Sequence, residues 1–188
     1  ELKITQAIDP KKDVDGFHPR NLGNMILNLP GFLPATPAGI MELLRRNNID
    51  TEGKNCVILR RSNIVGTPLS IMLARNTNPG NCTVTLAHSK TKNIKALCRE
   101  ADILIAAIGK PNFVTADMVK DGAVIIDVGT TRVEDSSRER GWRLVGDVKF
   151  DEVAEKTSYI SPVPGGVGPM TIASLMMNTL KAMELKSK

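Results

Sequence analysis

Aromatic and histidine side chains are scarce in this chain, and their scarcity excludes several kinds of function. Among 188 residues there are one Trp, one Tyr, four Phe and two His, and the formal charge of +5 is not gathered into a dense Lys/Arg run. Recognition of nucleic acid uses a basic face and stacking aromatics, so we expect no nucleic-acid partner. The three cysteines share no CxxC spacing and the two histidines are far apart, so no zinc cluster is predicted.

Long apolar runs are also lacking. No run approaches the ~20 residues that span a bilayer, so we expect no membrane partner. An odd number of cysteines and no recognisable signal peptide indicate a reducing, cytoplasmic location. The chain does contain 41% hydrophobic and 24% charged residues, which is typical of a soluble globular protein. Its excess positive charge suits an anionic small molecule such as a phosphorylated cofactor.

Short apolar runs alternate with helical patterns from about Thr36 onward. The predicted strands are 55–59, 82–87, 103–107, 123–127, 144–147 and 159–160, with helices at 67–75 and 93–100. This alternation predicts an α/β fold, a Rossmann-like doubly wound and mainly parallel sheet with helices on both faces. Residues 1–33 do not fit the alternation and are expected to be a fragment of a second α/β domain. The charged stretch 133–143 is expected to be an exposed hairpin or loop.

Three segments are rich in residues that form turns and ligand sites. Residues 161–171 (SPVPGGVGPMT) hold three prolines and three glycines directly before an apolar helical run. A rigid turn that leads into a helix N-terminus is suited to binding a polar or anionic ligand. The others are residues 13–19 (DVDGFHP) and residues 61–68 (RSNIVGTP), the latter at a strand-to-helix junction. In this order the three segments resemble the methylenetetrahydrofolate dehydrogenase/cyclohydrolase family of one-carbon metabolism. The resemblance runs from about Ile8 to the C-terminus.

The turn after the first predicted strand is expected to hold a dinucleotide, which in doubly wound sheets lies at the carboxyl ends of the strands. Residues 59–66 do not match GxGxxG. They resemble the family's Gly-Arg-Ser-x-x-Val-Gly-x-Pro turn at every defined position except the first, where this chain has Arg60. If that position requires positive φ, arginine costs ~1 kcal/mol or more.

The end of the second predicted strand bears on cofactor choice. An NAD site usually places Asp or Glu there to bind the ribose 2′-hydroxyl, whereas residues 86–91 (LAHSKT) contain no carboxylate. Basic and hydroxyl side chains can meet a 2′-phosphate instead, so NADP is the expected cofactor. The cofactor-binding candidates, assigned with the help of the resemblance, are Arg60, Arg61, Ser62, Ser89 and Thr130. An ordinary solvated polar loop is the alternative for this segment.

The resemblance also implies a folate site. A carboxylate can accept two hydrogen bonds from a pterin, and the matching residue is Asp15. With Asp15 assigned by the resemblance, Asp13 is expected to be structural, and His18 is expected to hydrogen-bond or pack locally. For an isolated Asp-x-Asp-Gly segment, an Asx turn is the alternative. The loop backbone that would line the folate and the nicotinamide is Pro164, Gly165, Gly166, Val167 and Gly168.

The implied reaction is hydride transfer from 5,10-methylenetetrahydrofolate to NADP, followed by hydrolysis to 10-formyltetrahydrofolate. The family places this chemistry on a Tyr-x-x-x-Lys pair in a preceding domain, but the only tyrosine here, Tyr159, is followed four residues later by Val163. We therefore expect no catalytic residue in this chain. The expected segments are 1–33, the tail of the folate domain; 34–168, the NADP domain; and 169–188, a helix that packs on the missing first domain.

Three hypotheses remain open at this stage. The chain is the cofactor domain of a bifunctional enzyme in truncated form, a non-catalytic NADP-binding module or assembly partner, or an unrelated NADP dehydrogenase with a similar βαβ domain. For the full-length protein, the family alone implies a homodimer. The run 170–183 is apolar almost all round, so its methionines are expected to be core residues.

Overall fold

The computed structural model describes residues 2–186, so the ends of the predicted first and last segments, Glu1 and residues 187–188, lie outside the described residues. The chain begins with the short helices α1 (Leu2–Ala7) and α2 (Pro19–Ile26), and α3 (Ala35–Arg46) leads into a sheet. No helix within residues 2–186 is both long enough and apolar enough to cross a membrane.

The sheet has five parallel strands: β1 (Asn55–Leu59), β2 (Thr83–Ala87), β3 (Ile103–Ala106), β4 (Val124–Asp127) and β7 (Tyr159–Ile160). Their order across the sheet is β2-β1-β3-β4-β7. The helices between them are α4 (Gly66–Ala74), α5 (Ile94–Arg99) and α6 (Phe150–Ala154). The order confirms the predicted doubly wound sheet, and it places the topological switch point between β1 and β3.

The central strands are buried on both faces, which explains their continuous apolar sequences. Along β1, Val57 and Leu59 point to one core layer, while Cys56 and Ile58 point to the other. β3 divides its side chains between the same two layers. The sheet therefore separates two apolar layers, each covered by helices.

The predicted strand at 144–147 is correct only in part, because residues 144–145 belong to a strand that lies outside the main sheet. Instead, β5 (Thr131–Glu134) and β6 (Trp142–Val145) form a separate antiparallel hairpin, in which the Arg132 guanidinium lies 4.5 Å from the Trp142 ring centroid. This confirms the expected exposed hairpin at 133–143. The chain leaves the hairpin at residues 146–148, whose backbone bonds to a side chain at the end of β4 and not to a strand of the main sheet.

The last helix, α7 (Val167–Lys186), packs along α3. A Cβ at Gly39 would lie 2.8 Å from the backbone of Met170, so the two helices approach through this glycine. Met176 and Met177 are 67% and 65% exposed, so they are not core residues of the described chain, and their expected packing on a preceding domain stays a prediction. Only one face of α7 is covered by the described residues, because the helix forms the outer layer of the fold.

Candidate functional site

A crevice opens at the carboxyl ends of β1, β2 and β3, at the switch point of the sheet, with a volume of about 580 Å³. We call it the switch-point crevice. Its polar lining groups are Arg60, Arg61, Ser62, His88, Ser89, Thr91 and Lys110. No carboxylate is among the described residues that line it. The crevice therefore offers a positive environment where open α/β sheets bind their ligands.

The turn after β1 is shaped by Ser62 and Gly66. The Ser62 Oγ accepts hydrogen bonds from the N–H groups of Val65, at 3.2 Å, and Gly66, at 3.4 Å. A Cβ at Gly66 would lie 1.9 Å from the Arg60 carbonyl oxygen, so only glycine fits there. As a result, α4 starts directly behind the crevice, with its N-terminus close to the turn.

Arg60 stands where the chain departs from the family pattern, and its φ is positive, as the family's glycine would allow. Its φ is 153°, outside the regions that L-residues normally adopt. Its Nη1 donates to the carbonyl oxygens of Ile108, at 3.1 Å, and Ala107, at 3.4 Å, at the end of β3. The side chain thus crosses the switch point from the β1 turn to the β3 loop.

The turn after β2 presents Ser89 to the crevice. The His88 N–H donates to the Thr91 Oγ1 at 2.9 Å, and the Lys90 N–H donates to the His88 Nδ1 at 3.2 Å. These bonds close a tight turn with Ser89 at its tip, whereas Lys90 does not line the crevice. Thr130 lies at the carboxyl end of β4, exposed and outside the crevice lining. Of the predicted cofactor-binding residues, the structure therefore brings together Arg60, Arg61, Ser62 and Ser89.

Two buried aspartates lie behind the crevice, and the sequence analysis missed both as functional candidates. Asp147 is fully buried and accepts hydrogen bonds from the N–H groups of Ile108, Gly109 and Lys110. Asp127, 4% exposed, accepts from the N–H groups of residues 129, 147 and 148. Each carboxylate thus receives three backbone donors, which compensates part of its lost hydration.

Burial raises the pKa of Asp127 from an ordinary 3.8 to about 6. The backbone donors oppose this shift, and the neighbouring Asp147 adds to it. Two glycines make the close pairing possible, and no sequence signal reveals it in advance. A Cβ at Gly129 would lie 2.4 Å from the Asp147 Cγ, and one at Gly146 would lie 1.9 Å from the Asp127 Oδ2.

Residues 13–18 fold as a compact turn in which Asp13 has the expected structural role. Asp13 is 5% exposed and accepts hydrogen bonds from the N–H groups of Phe17, at 3.1 Å, and His18, at 2.8 Å, and from the Asn21 side chain, at 2.7 Å. The expected local hydrogen-bonding role of His18 is also confirmed, because its Nδ1 accepts from the Arg20 N–H at the start of α2. Asp15 is exposed on the same turn.

The Pro/Gly-rich loop lies between β7 and α7. Gly165 has a φ of 106°, and the Gly166 N–H donates to the Pro162 carbonyl at 2.9 Å, so the loop turns sharply before the helix. Pro164, Gly165 and Gly168 are exposed, whereas the Val167 side chain belongs to the core. Val167 can therefore offer a ligand its backbone but not its side chain.

The predicted folate residues lie in two separate parts of the described structure. The turn that carries Asp15 is attached to the middle of α7, where the Asn178 Nδ2 donates to the carbonyls of Val14, at 2.8 Å, and Leu33, at 3.0 Å. Asn178 is eleven residues beyond Val167, which is about 17 Å along a helix. Neither the switch-point crevice nor a second cavity of about 360 Å³ at the amino ends of the strands is lined by Asp15 or the loop. Within residues 2–186, no three His, Cys, Asp or Glu side chains are placed to hold a metal ion.

A doubly wound parallel sheet with a basic, carboxylate-free crevice at its switch point is the arrangement of a dinucleotide-binding domain. Comparison with protein families identifies the type: residues 34–187 match the tetrahydrofolate dehydrogenase/cyclohydrolase NAD(P)-binding domain. The chain belongs to this family, as the three sequence segments predicted.

Individual relatives agree with the family match. The chain is 70% identical over 186 residues to the bifunctional protein FolD of Cytophaga hutchinsonii, covering 99% of this chain and 64% of that protein. It is 66% identical over 182 residues to FolD of Porphyromonas gingivalis, covering 97% and 62%. The chain therefore spans less than two thirds of the length of these curated relatives.

Solved structures extend the similarity to the fold. The crystal structure of the bifunctional enzyme FolD from Campylobacter jejuni superposes with a TM-score of 0.90 at 49% identity, over 99% of this chain and 63% of that one. The Trypanosoma brucei FolD, complexed with NADP cofactor and inhibitor, gives a TM-score of 0.91 at 40% identity, over 100% and 63%.

Proposed function

We propose that this chain supplies the cofactor domain of a bifunctional enzyme of one-carbon metabolism. The reaction is NADP-dependent oxidation of 5,10-methylenetetrahydrofolate to 5,10-methenyltetrahydrofolate, which is then hydrolysed to 10-formyltetrahydrofolate. The observation that carries the proposal is the switch-point crevice, whose polar lining combines Arg61, Ser62 and Ser89 without a carboxylate. The similarity to bifunctional FolD proteins supports the two activities.

The preference for NADP over NAD follows from charge. A ribose 2′-hydroxyl is usually bound by Asp or Glu at the end of the second strand, and such a carboxylate would repel a 2′-phosphate. Here that position is occupied by the His88–Thr91 turn with Ser89 at its tip, opposite Arg61 on the β1 turn. A guanidinium can pair with phosphate through two parallel N–H donors, so we assign the 2′-phosphate to the Arg61 side of the crevice. The NADP complex of the Trypanosoma brucei relative supports this choice.

The folate part of the proposal rests on Asp15 and on the backbone of residues 164–168. In this chain they lie apart, the loop at the start of α7 and the Asp15 turn against its middle, so a folate site needs further protein surface to join them. This agrees with the Tyr-x-x-x-Lys pair being absent from the printed sequence. We therefore assign no catalytic residue to the chain and place the acid–base chemistry on the part of the relatives that the chain does not span.

A second function remains open because of the same absence. A non-catalytic NADP-binding module or assembly partner would need the crevice but no Tyr-x-x-x-Lys pair. The coding sequence upstream of Glu1 separates the two: a reading frame that continues into Tyr-x-x-x-Lys supports the enzyme, and a start codon beside Glu1 supports the module.

The cofactor assignment is tested by calorimetric titration of the chain with NADP and with NAD. We expect NADP to bind more tightly, and Arg61→Ala to remove most of the difference, by ~1–3 kcal/mol for a lost charge-assisted contact. Lys90→Ala is the matched control, because this neighbouring cation does not line the crevice. Equal affinities of the unaltered chain for NADP and NAD would contradict the assignment, as would an Arg61→Ala variant that keeps the preference.

A further inference from the structure

Residues 107–110, which we call the crevice loop, form the β3 wall of the switch-point crevice and are held from behind by Asp147. The N–H groups of Ile108 and Gly109 donate to its Oδ2 at 2.5 and 2.9 Å, and the N–H of Lys110 donates to its Oδ1 at 2.8 Å. Successive N–H groups that converge in this way form a nest, a concavity that attracts anions. In this protein the nest is filled by an internal carboxylate that is fully buried.

The consequence is a loop with a fixed orientation. Because its three N–H donors are committed to Asp147, they are not offered to a ligand. The carbonyls of Ala107 and Ile108 are instead reached by the Arg60 guanidinium, which itself lines the crevice. The crevice loop therefore presents acceptors to the crevice, with the Lys110 side chain as its cation.

Asp147 has little freedom to move. Its own N–H donates to the Asp127 Oδ1 at 3.0 Å, and the next N–H, of Val148, donates to the Asp127 Oδ2 at 2.9 Å. Gly129 lies directly against its carboxylate, where a Cβ would be 2.4 Å from the Asp147 Cγ. The end of β4 thus fixes Asp147, and Asp147 fixes the crevice loop at the end of β3.

We propose that Asp147 is a positioning residue for the bound dinucleotide. It never touches the ligand but holds the crevice loop in the shape against which the pyrophosphate and nicotinamide half lies. The adenosine 2′-phosphate half depends on the β1 and β2 turns, which have no bond to Asp147 among the described residues. This inference rests on the NADP binding proposed above.

The test is to measure the affinity of one variant for the whole cofactor and for half of the cofactor. Asp147→Asn replaces one acceptor by an NH₂ group that faces backbone donors, so the crevice loop must rearrange. We expect its calorimetric affinity for NADP to fall about tenfold or more. Its affinity for adenosine 2′,5′-bisphosphate should stay within about twofold, because that half of the ligand does not reach the loop.

Asp102→Asn is the matched control. Asp102 lies just before β3, at the opposite end of the strand from the crevice loop, and it also accepts a backbone N–H, from Asn55 at 2.9 Å. It should leave both affinities unchanged. If Asp147→Asn weakens both ligands equally, or neither, its role is only structural and the inference is wrong. If the unaltered chain binds neither ligand, the proposed function fails and the inference fails with it, which is a distinguishable outcome.

A second variant covers the case in which Asp147→Asn does not fold. Gly109 has a φ of 76°, and a Cβ there would have the Arg60 Nη1 as its nearest described neighbour, at 3.7 Å. Gly109→Ala therefore strains the crevice loop without a clash and without removing the carboxylate. It should give the same split, with NADP weakened and adenosine 2′,5′-bisphosphate unaffected. Equal affinities of this variant and the unaltered chain for NADP would overturn the inference independently.

Discussion

Substitutions at Arg60 can separate the strain of its backbone from the stabilisation that its side-chain hydrogen bonds provide. A non-glycine residue at a φ of 153° carries strain of ~1–2 kcal/mol. Against this, the guanidinium makes two long hydrogen bonds, at 3.1 and 3.4 Å, from an exposed side chain. Because this side chain is exposed to water, each bond contributes about 0.5 kcal/mol, the low end of the usual range. Strain and contacts therefore nearly offset one another, and we expect Arg60→Gly to be at least as stable as the unaltered chain.

The decisive comparison is between Arg60→Gly and Arg60→Ala. Both variants lose the contacts to Ala107 and Ile108, but only alanine keeps the strain. We expect the glycine variant to have the higher free energy of unfolding, by about 1 kcal/mol, which is about 2–4 °C in Tm for a chain of this size. Thermal and urea unfolding at low protein concentration measure the difference, and repeating the melts with NADP shows whether the turn also limits binding.

The same pair of substitutions at Glu155 serves as the control. Glu155 is exposed and has ordinary helical angles, φ −65° and ψ −21°. There, glycine should be less stable than alanine by about 0.5–1 kcal/mol, so the sign reverses. If Arg60→Gly is also less stable than Arg60→Ala, the turn is unstrained and the reasoning is refuted.

Two further predictions concern Asp127 and the exposed face of α7. Because its pKa is raised in the fold to about 6, Asp127 binds a proton more readily in the folded than in the unfolded chain. Its contribution to stability is thus present at about pH 4 and is lost, by a few kcal/mol, as the pH rises through about 6. Asp127→Asn should therefore gain stability relative to the unaltered chain from pH 4 to 7 in urea titrations. Asp102→Asn should show no such gain between pH 4 and 7, because the hydrogen bond from Lys120 lowers the pKa of Asp102. Its pH-dependent contribution, of opposite sign, is lost only as the pH falls below about 4. The 188-residue chain should self-associate in sedimentation and show no dehydrogenase or cyclohydrolase turnover, whereas Met176→Lys with Met177→Lys should weaken association. Adding the N-terminal part of a relative should restore both activities and reduce association, and a monodisperse, active chain would contradict this.

The sheet was predictable because each strand is specified by residues that are neighbours in the sequence. Each central strand is a short β-branched run buried on both faces, so its position follows from composition alone, as for β1, β3 and β4. The turn after β1 was also predictable as a site, since Ser62 and Gly66 shape it through contacts within a few residues. The strand at 144–147 was misplaced because its apolar pattern fits either sheet. Long-range contacts, with the Asp127 side chain and with the backbone of residues 112–114, decide that the chain turns away.

The apolar sequence of α7 shows the limit of reading burial from composition. The residues turned inward, such as Leu175 and Asn178, recur at helical spacing, and Ile172, Met176 and Leu180 form an exposed stripe on another face. Composition records that a surface is apolar, but not which surface covers it. The exposed methionines of the described residues illustrate this, and the packing of the helix on a preceding domain stays a prediction.

Asp127 and Asp147 were missed for the opposite reason, because their role lies in long-range pairing with backbone. Asp147 bonds to amides 37 to 39 residues away, and Asp127 to amides 20 and 21 residues away. An aspartate at a strand end is compatible with a turn, a cap or a ligand site, and its sequence neighbours do not distinguish these. Gly129 and Gly146 do not decide it either, because the closeness of their backbone to the two carboxylates arises only in the folded sheet. The crevice loop thus depends on residues that neither bind the cofactor nor precede it in the chain, and only the folded sheet brings them behind it.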